Sequence, residues 1–201
     1  MSILTNPLPK MLRISGKFYP IASDFRTWIL ITELVEDPEL TDREKLDTTA
    51  VLVFGSYPFE SWDEWIEAYQ QILWFYRCGR EPQDDGSQDG GSSADAFSFE
   101  YDADYIYAAF MSAYHIDLTA QTLHWWQFMA LLRAIPGDTE LSRIIGYRTM
   151  EIDPDMPRKQ KQHYQEMKEL FAIPRSKAER ELEKSLTDVL MNGGDITTVL
   201  S

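Results

Sequence analysis

Apolar positions recur at helical spacing along most of the chain. Phe25, Trp28, Ile29 and Thr32 follow Ser23 or Asp24 as N-cap and run to Asp37-Pro38, which predicts a first helix. Thr41-Asp42-Arg43-Glu44 has the hydroxyl and carboxylate spacing of a capping box and opens a second, through Leu46, Ala50, Val53 and Phe54 to Gly55. Ser61-Trp62-Asp63-Glu64 repeats the device. Behind it Trp62, Trp65, Ile66, Tyr69, Ile72, Leu73 and Tyr76 form a wide apolar stripe that ends at Gly79, a third helix fit to dock on the core. Only Leu12 to Ile21 breaks the period: two short β-compatible runs flank Ser15-Gly16, the pattern of a small hairpin.

The densest aromatic stretch runs from Phe99 to Arg148. Tyr105, Tyr107, Phe110, Tyr114, Trp125, Trp126 and Phe128 fall on two predicted helices joined by a few residues. The second, Thr122 to Ala134, has apolar residues on both sides, which predicts an enclosed core helix with Leu123, Trp126 and Ala130 on one buried face. Farther on, Pro157 suits a first helical position, and Tyr164, Met167 and Phe171 recur at helical spacing as far as Pro174. Ser176-Lys177-Ala178-Glu179 is a third capping box, opening an amphipathic helix with Leu182, Leu186, Val189 and Leu190 on one narrow face. The expectation is a mainly α protein: a compact multi-helix domain over residues 1–174 with a short N-terminal β-hairpin, and a C-terminal amphipathic helix and tail over 175–201.

Composition changes this picture at one segment. Residues 81–96 hold five acids, no base and no apolar side chain larger than alanine. Burial there cannot offset ordering entropy, so a flexible acidic loop inside the domain is expected. The formal net charge of -14 disfavours nucleic acid and anionic lipid and favours partners with basic surfaces. Residues 158–201 depart from this, with eight bases against seven acids. No run of apolar residues suits a signal peptide or a membrane span, and the lone Cys78 fits a reducing cytoplasm.

Candidate chemistry is sparse. His115, His124 and His163 lie on separate segments, none at metal-ligand spacing, and read as structural histidines. Asp102 and Asp104 read as a cap and a dipole partner at a helix start, not as an acid and base pair. Cys78 reads as a filler on a helix. No serine stands in a nucleophile elbow, and Gly90-Gly91-Ser92 lacks the lysine of a phosphate loop. Arg158-Lys159-Gln160-Lys161 reads as the solvated start of a helix, and Trp74-Phe75-Tyr76-Arg77 as core packing. No catalytic, cofactor or metal residues are assigned. Leu182, Leu186, Val189 and Leu190 are the candidate protein-contact residues, with packing against the chain's own domain as the other reading.

YDADYIYAAFMSAYHIDL, LHWWQFMALLRAI and IIGYRTMEID, in that order, resemble the bacteriophage "gene product fifteen" family, small proteins of long-tailed phages and prophages of Gram-positive bacteria. ISGKFYPIASDFRTW and KQKQHYQEMKELFAIPR fit the same pattern, so the resemblance covers roughly residues 12 to 175. It implies a place in the tail-assembly cluster beside the tape-measure gene. The implied role is that of a tail assembly chaperone in the host bacterial cytoplasm, transiently coating the tape-measure protein, with the tail-tube protein or itself as further partners and no catalytic residues. Two alternatives stand beside it: a structural tail or connector component of the virion, and a host-directed acidic binding protein.

Overall fold

The computed structural model describes residues 3–80 and 96–174. The fold is mainly α. A two-stranded antiparallel hairpin, β1 (Met11–Ile14) and β2 (Lys17–Pro20), precedes seven helices among the described residues: α1 (Phe25–Glu36), α2 (Asp42–Phe54), α3 (Trp62–Tyr76), α4 (Ala103–Tyr114), α5 (Trp125–Arg133), α6 (Glu140–Thr149) and α7 (Arg158–Leu170). The described residues up to Phe171 form one compact unit. The acidic segment up to residue 95 and the C-terminal stripe of Leu182, Leu186, Val189 and Leu190 lie outside the described residues.

The hairpin turn is where two-residue chemistry predicts it. Ser15 and Gly16 both take positive φ, 48° and 79°, as a type I′ turn requires. The strain at Ser15 is offset by Glu67 of α3, whose Oε2 accepts from the Ser15 amide at 2.8 Å and its hydroxyl at 3.1 Å. Leu12 and Ile14 then point into the core, and Met11 and Arg13 point out.

Asp24 caps α1, Thr41 caps α2 with the full capping box, and Gly55 closes α2 in the left-handed conformation at φ 74°. At α3 the box is incomplete. The Ser61 hydroxyl accepts from the Glu64 amide, but the Glu64 carboxylate accepts from the amide of Glu60, one residue upstream of the cap.

The core helix starts at Trp125, not Thr122, for a non-local reason. Residues 123–125 are held by an antiparallel bridge to the start of α1: the Phe25 amide donates to the Leu123 carbonyl at 3.0 Å, and the Trp125 amide to the Ser23 carbonyl at 2.8 Å. The N-caps of α1 and α5, Asp24 and His124, face each other across this bridge. Leu123 is therefore in extended backbone and half-buried, while Ala130 is exposed, so only Trp126 of the expected face is buried. The buried residues of α5 are Trp125, Trp126 and Phe128, and Gln127, Ala130 and Arg133 meet solvent.

The aromatic side chains interlock. Phe128 stacks on Phe25 at 4.7 Å and on Phe110 at 5.2 Å between ring centroids, and Trp28 lies 4.6 Å from Phe75. Such pairs add about 0.5–1.5 kcal/mol each beyond area burial. The helix α6 is an element the sequence reading passed over. Thr139 caps it by accepting from the Ser142 amide, and Leu141 and Ile144 are its buried residues. Against α6 lies α7, with Tyr147 stacked on Phe171 at 5.9 Å and Lys168 donating to the Met150 carbonyl. Pro157 is the N-cap of α7 and not its first helical residue; Arg158, Lys159 and Gln160 are exposed.

Candidate functional site: an apolar groove with an aromatic rim

The residues of the sequence motifs build the frame, not a catalytic centre. Asp102 and Arg148 stand in two separate motifs, and the fold joins them. Arg148 donates through Nη1 to Asp102 Oδ2 at 2.6 Å and through Nη2 to Oδ1 at 2.9 Å, with 8% and 1% of the side chains exposed. The remaining donors reach the Phe171 carbonyl at 2.6 Å and the Ala96 carbonyl at 3.2 Å. Asp102 stands at the N-cap of α4 yet makes no side-chain capping bond to the helix. Its Oδ2 accepts from the upstream Ser98 amide instead. The expected cap is thus a buried half of an ion pair, and Asp104 alone occupies the first turn as an acid favoured by the helix dipole.

His124 is a structural histidine with both ring nitrogens engaged. Nδ1 accepts from the Trp126 amide at 3.1 Å, and Nε2 lies 2.9 Å from the Pro9 carbonyl, which fits a neutral ring protonated at Nε2. Burial holds its pKa below the usual 6.5; Lys10 adds to this, and the bond to Pro9 opposes it. Protonating Nδ1 would destroy the cap of α5. Below about pH 6.5 the unfolded chain therefore binds a proton that the folded chain refuses, so stability contributed by this ring is present above that pH and is lost on acidification toward the lower native value. Denaturant melts from pH 7.5 to 5.5 are expected to show falling stability, and His124→Asn, a cap that does not titrate, is expected to flatten that slope. An unchanged slope in the variant would exclude His124 as its source.

Cys78 is not on a helix as expected but in the left-handed turn after α3, at φ 59°. Burial pushes its thiol up against the pull of Arg133 and Arg80, so it is no activated nucleophile. Among the described residues, no three His, Cys, Asp or Glu side chains are grouped to hold a metal ion.

What remains is a surface. A groove of about 1170 Å³ runs between α1, α2 and α3, and Trp28, Ile31, Thr49, Trp65 and Ile72 are its buried lining residues. Its rim carries large apolar side chains in water: Trp62 is 72% exposed, Val35 55%, Tyr57 49%, Ile66 45% and Tyr69 44%. The sequence reading placed Trp62, Ile66 and Tyr69 in the stripe that docks α3 on the core. The buried face of α3 is Trp65, Ala68, Ile72 and Phe75, and the other three are surplus to it. The signal lay in the width of the stripe, broader than one core-facing side needs. Tyr57 receives a hydrogen bond from the indole N–H of Trp65, which ties the rim to the floor.

The charged lining is three acids, Glu36, Asp42 and Asp47, and two bases, Arg43 and Lys45. Outside the lining, burial first, and then Glu100 and Glu36, hold the Glu33 carboxyl above the usual carboxylate range. A second hollow of about 950 Å³ lies between the N-terminal segment and His124, but His124 is already committed there. No helix among the described residues is long and apolar enough to cross a membrane.

Comparison with curated proteins and with solved structures gave no match. The family described as bacteriophage Gp15 protein matches residues 4–173, which takes in the hairpin, all seven helices and both the groove and the Asp102–Arg148 pair. The chain belongs to that family, and with it to the structural or assembly-related proteins of bacteriophages.

Proposed function

We propose that this protein is a non-catalytic tail assembly chaperone, which binds the tape-measure protein in the host bacterial cytoplasm and leaves as the tail tube forms. The observation that carries the reading is the apolar groove with its exposed aromatic rim. Membership of a phage family directs it toward phage assembly. A tape measure is long and helical, and its apolar faces need cover until the tube encloses them. An open groove lined by large side chains can hold such a face reversibly. The buried titratable groups Asp102 and His124 are engaged in structural bonds, which supports a role without catalysis.

The test is co-expression with the adjacent tape-measure gene. The expected result is a soluble complex of the two proteins, with this chain missing from finished particles. A tape-measure protein that stays insoluble, or this chain retained at fixed stoichiometry in mature virions, would overturn the reading.

A further inference from the structure

We propose that the groove between α1, α2 and α3 takes an amphipathic helix whose apolar stripe is flanked by lysine or arginine. The assignment rests on the reading of the chain as a binder of a helical client and names the chemistry of the segment it holds. Size argues for a peptide, because about 1170 Å³ exceeds the ~300–1,000 Å³ typical of small-molecule sites. The exposed large apolar residues of α3, Trp62, Ile66 and Tyr69, stand at i, i+4 and i+7, with Val35 on the opposite rim. A docked helix meets a groove through that same spacing.

Charge selects the flanks. The two cations lining the groove are already engaged: Arg43 lies 3.6 Å from Asp47, and Lys45 donates to the Val35 carbonyl at 2.7 Å. Glu36 and Asp42, also in the lining, have no ion pair among the described residues. Asp42 sits in the first turn of α2, where the positive end of the helix favours it. Glu36 ends α1, where the dipole is negative and no basic residue stands in the last turn, and Asp37 and Glu39 follow it; Lys45, at the neighbouring Val35 carbonyl, is the lining cation that partly offsets it. With Arg43 paired to Asp47, the lining leaves two carboxylates, Glu36 and Asp42, against one cation, Lys45, so a cation on the incoming helix would meet net negative charge at this mouth of the groove.

The experiment uses the full chain and two labelled peptides of about 18 residues, long enough to be helical. Both carry leucine at i, i+3, i+4 and i+7, one with lysine flanks and one with glutamate flanks. Fluorescence anisotropy is expected to show the lysine peptide bound roughly ten-fold tighter at low salt, the scale of two exposed charge pairs. The gap is expected to close near about 0.5 M salt. Glu36→Lys combined with Asp42→Lys reverses the preference. Ile66→Asp and, separately, Trp62→Ser abolish binding of both peptides with the melting temperature unchanged, since both side chains already meet solvent. Equal affinity for the two peptides, or binding indifferent to both rim variants, overturns the proposal. So does self-association that Ile66→Asp removes in the absence of peptide binding, which would seat a second copy in the groove. A gain in affinity on Leu186→Glu with Leu190→Glu would assign the groove to the chain's own C-terminal stripe and overturn it likewise. Because no tape-measure protein enters this assay, selective peptide binding beside failed co-expression would retain the groove and reject the tape measure as its client.

Discussion

Replacing Arg148 with methionine is expected to cost about 3–5 kcal/mol, the range seen when one partner of a buried ion pair is removed. The carboxylate of Asp102 would be left with 1% of its side chain exposed and the Ser98 amide as its remaining partner. The carbonyls of Ala96 and Phe171 lose their donors at the same step. The pair is not worth that much in itself, because desolvating two charges offsets most of their attraction. The loss comes from stranding one of them. The double variant Arg148→Met with Asp102→Leu is therefore expected to recover a large part of the deficit in denaturant melts. Recovery should be incomplete, since the Ala96, Phe171 and Ser98 backbone groups remain unpartnered. A single variant within about 1 kcal/mol of the parent would show that the fold tolerates the bare carboxylate and that the clamp is dispensable.

That clamp marks the boundary of what was legible in the sequence. The helix starts of α1, α2 and α3, the hairpin turn and the left-handed stop at Gly55 could be read because each is decided within a few residues by a cap or a required positive φ. The ion pair could not, because 46 residues separate its partners and nothing local distinguishes a carboxylate that caps a helix from one aimed across the fold. The late start of α5 has the same origin: backbone at 123–125 is committed to a bridge with residues 23–25, and its apolar pattern alone runs on upstream. The groove was half legible. The wide apolar stripe of α3 is visible in the sequence, and only packing decides which of its residues the core accepts: Trp65, Ala68, Ile72 and Phe75 are inside, and Trp62, Ile66 and Tyr69 are left on the rim. The contact residues assigned from sequence, Leu182, Leu186, Val189 and Leu190, lie outside the described residues, and the surface proposed for binding is a different one.

A second large effect is expected at Gly79, and its size depends on Trp126. The end of α3 is closed by the two adjacent tryptophans of α5. The Trp126 indole N–H donates to the Phe75 carbonyl at 2.8 Å, and the Trp125 indole to the Tyr76 carbonyl at 2.9 Å, so two carbonyls at the helix end gain partners from across the core, that of Phe75 in addition to the Cys78 amide at 2.9 Å. Gly79 takes φ 72° and brings the backbone against the indole: a Cβ there would stand 2.8 Å from Cη2 of Trp126. Gly79→Ala adds the left-handed backbone penalty of about 1–2 kcal/mol to overpacking of about 1–3 kcal/mol, and a total loss of roughly 2–5 kcal/mol is expected. Trp126→Ala is expected to cost about 3–5 kcal/mol as a buried aromatic truncation. Trp126→Phe is the informative partner, because it removes the outer ring atoms that meet the new methyl group while keeping an aromatic side chain. In that background Gly79→Ala should cost only its backbone penalty, so the two substitutions together should destabilise by less than their sum. Strict additivity in denaturant melts would mean that the indole shifts freely out of the way, and that Gly79 is required for its φ alone.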